Sequence, residues 1–121
     1  MAGEVKRASR VAEGIREELS MLLTTRVRDP RLAGVLVSRV ELSDDLRSAR
    51  VFFRLLEGAD EARVKEAQTG LARAAGMLRK EVSNTLKLRS APELRFMYDA
   101  GQEARDRIAS LLEEVKRERK P

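Results

Sequence analysis

Between Arg63 and Leu88 the chain reads RVKEAQTGLARAAGMLRKEVSNTLKL, and this stretch decides the fold. It holds no proline, and Leu71, Ala74 with Ala75, Leu78, Val82 and Leu86 recur at helical spacing along one face. Three small residues, Ala74, Ala75 and Gly76, run into that face. Glycine inside a helix costs about 1 kcal/mol relative to alanine, so Gly76 predicts a joint, an interhelical kink between two helices. At ~100° per residue, Arg73, Lys80 and Lys87 share a stripe roughly opposite the apolar one. A small-residue joint beside a cationic stripe points to a nucleic-acid surface.

Upstream, Val11, Ile15, Leu19 and Leu22 with Leu23 predict a helix over about Val5 to Arg26. Asp29-Pro30-Arg31 stops it, and Gly34 releases the chain into a strand. Leu36–Leu42 and Ser48–Leu55 flank Ser43-Asp44-Asp45 and read as an antiparallel hairpin. Gly58-Ala59-Asp60 ends the hairpin, with Asp60 placed to cap the following helix. Downstream, Ser90-Ala91-Pro92 breaks the chain, and Leu94–Tyr98 forms a third strand. A last helix starts near Gln102, with Ile108, Leu111, Leu112 and Val115 on one face. The order is α-β-β-α-(kink)-α-β-α, an α+β sandwich whose three-stranded sheet is backed on one face by helices. The expected core is Val11, Ile15, Leu19, Leu22, Val51, Phe53, Leu71, Leu78, Val82 and Phe96. Phe52 is also placed in the core by the apolar character of its neighbours.

A chain of 121 residues suits one domain, read as residues 5–115 followed by a short basic tail, 116–121. No apolar run approaches the ~20 residues of a membrane span. The N-terminus does not resemble a signal peptide, and the lack of cysteine fits the cytoplasm. Charge placement says more. Arg63 to Arg95 carries eight basic residues against three acids, an excess equal to the net charge of +5 for the whole chain. A localised excess favours an anionic partner over a uniformly solvated surface.

This order, with a kink, is that of a type II KH domain. Ordinary KH domains clamp RNA with a Gly-x-x-Gly loop, which is missing here. Ala74-Ala75-Gly76 instead resembles the Ala-x-Gly kink of the bacterial ribosome-binding factor A family. Other segments resemble that family in register: Arg10-Val11, Glu18-Leu19-Ser20 and Leu22-Leu23 in the first helix, then Asp29-Pro30-Arg31. They continue with Val40 to Leu46 and Ala49, Leu88-Arg89, Pro92-Glu93-Leu94, Phe96, and Asp99 with Arg107-Ile108 and Leu111-Leu112. One departure is Ala100-Gly101-Gln102, where the family more often has a Ser-containing cap. The resemblance implies a monomeric assembly factor for the small ribosomal (30S) subunit. It would bind immature 16S rRNA and assist late maturation and 5′-end processing without cutting RNA itself.

The candidate RNA-binding residues are Arg73, Arg79, Lys80, Lys87 and Arg89, with Arg7, Arg10, Arg28 and Arg31 from the first helix and its turn. Asp44-Asp45 reads as turn chemistry, since a metal site needs more ligands than two adjacent carboxylates. With no histidine, no cysteine, no phosphate-binding Gly-rich loop and no base beside any serine, the chain does not read as an enzyme. No cofactor, small-molecule substrate or membrane is implied. The alternative is a basic module that binds an acidic protein.

Overall fold

The β-hairpin organises the molecule. In the computed structural model, which describes residues 2–56 and 60–118, β1 (Val35–Leu42) pairs antiparallel with β2 (Ser48–Leu55). The turn between them is held by Asp45, whose carboxylate accepts from the Ser43 hydroxyl at 2.7 Å and the Arg47 amide at 3.0 Å. Asp45 is thus a turn residue, as expected. A helix, α2 (Glu61–Leu86), then returns the chain so that β3 (Glu93–Tyr98) lies parallel to β2, giving the order β1-β2-β3. Before the hairpin come α1 (Ala2–Thr25) and a 3-10 turn (Pro30–Leu32), and after β3 comes α3 (Ala100–Glu118). Of the hairpin's expected end, Gly58 and Ala59 lie outside the described residues, as do the last three of the basic tail.

The caps follow from chemistry. Asp60 accepts from the Arg63 amide at 2.8 Å and starts α2, as its position suggests. Asp29 caps the 3-10 turn by accepting from the Arg31 amide, with Pro30 in the first turn. The core lies between the sheet and α1 and α2. Ile15, Leu19, Leu22, Val51, Phe53, Leu71, Leu78 and Val82 are almost fully buried. Val11 and Phe96 are half-buried and pack against that core. Tyr98 tilts onto Phe53, with ring centroids 5.6 Å apart.

Three expectations are corrected. Residues Glu61–Leu86 form one uninterrupted α-helix, not two helices meeting at Ala74-Ala75-Gly76. Glycine, unlike proline, keeps its N–H, and the alanines before it are strong helix formers, so the ladder continues through the site. Nor is Gly76 a close-packing residue: a Cβ built there meets nothing within 4 Å. Second, Phe52 is half-exposed on the outer face of the sheet, under the Arg39 guanidinium at 3.9 Å from its ring centroid. Adjacent strand residues point to opposite faces, so Phe52 and Phe53 cannot both be in the core. Third, Ile108, Leu111, Leu112 and Val115 do share a face of α3, but they are 42–60% exposed. Residues 107–118 of that helix are all exposed.

Candidate nucleic-acid interface

Three segments distant in sequence meet at one edge of the molecule. The start of α1 brings Arg7 and Val11, and the β1–β2 turn brings Asp44 to Arg47. The end of α2 and the link to β3 bring Arg79 and Leu86 to Ala91. Together they line a cleft of about 1120 Å³. Val11, Leu46, Leu86 and Leu88 are half-buried, while Arg7, Arg47, Arg79, Lys87 and Arg89 are exposed. Among the described residues none of these five cations lies in an ion pair within 4.0 Å. Five cations against two acids, Asp44 and Asp45, leave the cleft with a positive excess, whose field low-dielectric walls focus.

The backbone at the end of α2 shapes one wall. Lys87 adopts the left-handed conformation, φ 53° and ψ 46°, and its amide donates back to Asn84 O and Ser83 O. Leu88 N–H also donates to Ser83 O, at 3.0 Å. This helix stop usually employs glycine, and a non-glycine residue there carries roughly 1 kcal/mol or more of strain. A cation at this end does interact favourably with the helix dipole. Arg79 ties the link down: its Nε and one terminal nitrogen donate to Ala91 O at 3.2 and 2.8 Å.

The opposite wall is the hairpin turn. The Ser43 hydroxyl, and then the Arg47 amide, hold the Asp45 carboxyl below its ordinary range, so it stays anionic. Its contacts point back into the turn, which leaves Arg47 beside the cleft. Arg47 is a residue that sequence reasoning missed. After a Ser-Asp-Asp turn an arginine reads as a solvated residue. Only the hydrogen bond from Glu93 N–H to Arg47 O, at 2.8 Å, brings it next to the link.

Of the residues picked from sequence, the cleft unites Arg7, Arg79, Lys87 and Arg89. Arg73 and Lys80 are exposed on α2 outside it: fourteen residues of helix from Arg73 to Lys87 span about 21 Å, and Lys80, though next to Arg79, is turned about 100° away around the helix. Arg10 and Arg28 are exposed and also outside it. Arg31 has a structural contact: it grips Asp29 with Nε and a terminal nitrogen at 2.9 and 2.6 Å. The carbonyl of Arg31 in turn accepts from Arg63 at 2.8 Å. That pairing of Arg31 with Asp29, above all, depresses the Asp29 carboxyl, with a smaller contribution from nearby Arg73. Among the described residues no group of three or more His, Cys, Asp or Glu could hold a metal ion. No helix there is long and apolar enough to cross a membrane.

A three-stranded sheet under two helices, with a cationic cleft at its edge, defines a small α+β protein of the KH-like type. The chain belongs to the ribosome-binding factor A family, whose model matches residues 7–112. It is 55% identical to ribosome-binding factor A of Sorangium cellulosum over 117 residues, covering 96% of this chain and 94% of that one. The fold resembles the crystal structure of ribosome-binding factor A from Thermus thermophilus, with a TM-score of 0.66 and 23% identity. That match covers 75% of this chain and 93% of the other. It also resembles a Thermus thermophilus model fitted into a cryo-EM map of a 30S–RbfA complex (TM-score 0.60, 23% identity, 74% and 92% covered).

Proposed function

We propose that this protein is a small-subunit assembly factor that binds the 30S subunit through immature 16S rRNA. It acts as a monomer in the cytoplasm, during late maturation and 5′-end processing, and cuts nothing itself. The observation that carries this reading is the convergence of Arg7, Arg47, Arg79, Lys87 and Arg89 on one cleft, where among the described residues they outnumber the two carboxylates of the lining, Asp44 and Asp45, and form no ion pair within 4.0 Å. Phosphate contacts from such groups position RNA and make binding fall with salt. The relative fitted into a 30S complex supports the choice of subunit.

Pelleting the protein with immature and mature small subunits at rising salt tests it. Retention that declines steeply with salt, and more strongly on the immature particle, is the expected outcome. Failure to pellet with either particle overturns the reading. No retention on either particle, with salt-sensitive binding to an acidic protein, would instead favour the basic interaction module.

A further inference from the structure

The helix-free face of the sheet is arranged in rows by the strand register. Arg50 lies directly opposite Arg95, and Phe52 opposite both Arg39 and Met97. The first row adjoins the cleft: Arg47 lines it, its carbonyl holds the start of β3, and Arg50 follows about 10 Å further along β2. On its other side Arg50 faces Glu41, which also pairs with Arg39 at 2.7 Å. Like charges directly opposite one another weaken a sheet, however, so the side-by-side placing of Arg50 and Arg95 adds nothing to stability by itself. Each does have an exposed ion pair, Arg50 with Glu41 at 3.0 Å and Arg95 with Glu93 at 3.3 Å. Pairs of that kind are worth at most about 1 kcal/mol and exchange readily for phosphate. In the second row the Arg39 guanidinium lies over the Phe52 ring, with Met97 alongside at 41% exposure.

Cations interleaved with flat, partly exposed groups suit unpaired nucleotides. Their bases stack on aromatic and guanidinium planes, whereas a duplex keeps its bases inside. We infer that this outer face is a second RNA-contacting surface, on which a single strand leaving the cleft past Arg47 lies across Arg50, Arg95 and the Arg39–Phe52 stack. This inference rests on the RNA-binding reading of the cleft.

The test is anisotropy of labelled single-stranded RNA oligomers from about 4 to about 16 nucleotides, the range of site sizes for sheet-based binders. Wild-type affinity should rise with length. An Arg50→Gln/Arg95→Gln variant, checked as folded by circular dichroism, should match wild type on the shortest oligomer. On the longest it should bind about tenfold more weakly, with a salt slope lower by about 1.4, as two single-strand phosphate contacts imply. Arg39→Lys keeps the charge but loses the plane. It should weaken the long oligomer by about fivefold or more, as loss of one stacked base implies, and leave the slope unchanged. Wild-type slope and affinity in the double variant, while Lys87→Gln/Arg89→Gln loses binding, would overturn the inference alone and leave the face to another partner. Indifference to both double variants would remove the cleft reading as well. Duplex RNA bound as well as single strands would also overturn the inference.

Discussion

Gly70 and Gly76 look alike in the sequence, each a glycine inside a helical pattern, yet their surroundings differ. A Cβ on Gly70 would lie 2.9 Å from Leu32 Cδ2 and 3.2 Å from Arg31 Cβ, whereas one on Gly76 meets open space. Sequence reasoning placed the constraint on Gly76 because helix propensity shows that a glycine is unfavourable but not what it faces. Gly76→Ala should therefore raise stability by up to about 1 kcal/mol, the helix-propensity gain. Gly70→Ala should lower it by about 1 kcal/mol or more, because overpacking outweighs the same gain. Thermal melts of the two variants check the pair, and equal shifts would contradict it. Lys87 tests function by its strain. Lys87→Gly suits the left-handed backbone but removes a cleft cation, so melting should hold or rise while RNA affinity falls. A variant that loses both would mark Lys87 as a structural cap only.

Periodicity identified α2 and α3 equally well, but it tells which residues share a face and not whether anything covers that face. Leu78 sits on the buried side of α2 with no exposure, whereas Leu111 and Leu112 are 60% and 58% exposed. Leu78→Ala should cost about 2–5 kcal/mol. Leu111→Gln/Leu112→Gln should shift stability by no more than about 0.5 kcal/mol per site, as exposed positions do. Denaturant melts distinguish them, and a large loss in the α3 variant would mean that its apolar face is buried. The same limit explains the strands: their existence and most boundaries were readable, but facing had to be settled by strict alternation, which sends Phe52 outward. The turn after α1 was legible as a stop, yet its Asp29–Arg31 clasp was not, because both residues also suit a solvated loop. Arg31 depresses the Asp29 carboxyl below its ordinary value near 3.8. Its stabilisation is therefore complete above that value and disappears as pH falls through the depressed one. Asp29→Asn should be less stable than wild type at neutral pH and converge with it in acid. A gap that persists in acid strong enough to protonate the carboxylate in the native state as well would assign the effect to packing instead.

Across the whole molecule, the cleft depends on contacts no local pattern contains. Arg7, Arg47 and Lys87 belong to three segments that only the tertiary fold brings together, so the sequence supplied the cationic excess and several of its residues but not their grouping. The stripe of Arg73, Lys80 and Lys87, drawn on a single helix, divides in three dimensions: its last member enters the cleft and the first two do not. That division can be measured. If rRNA phosphates occupy the cleft, Lys87→Gln/Arg89→Gln should lower the salt slope of subunit binding by about 1.4–1.8, at ~0.7–0.9 for each phosphate no longer neutralised. Arg73→Gln/Lys80→Gln should change it by less than about 0.7, though the overall field weakens in both. Net charge falls equally in the two variants, so a purely nonspecific attraction predicts equal slopes. Unequal slopes, in the order given, tie binding to the place where the fold gathers its unpaired cations. The reverse order would put the RNA along the exposed side of α2, beside Gly76.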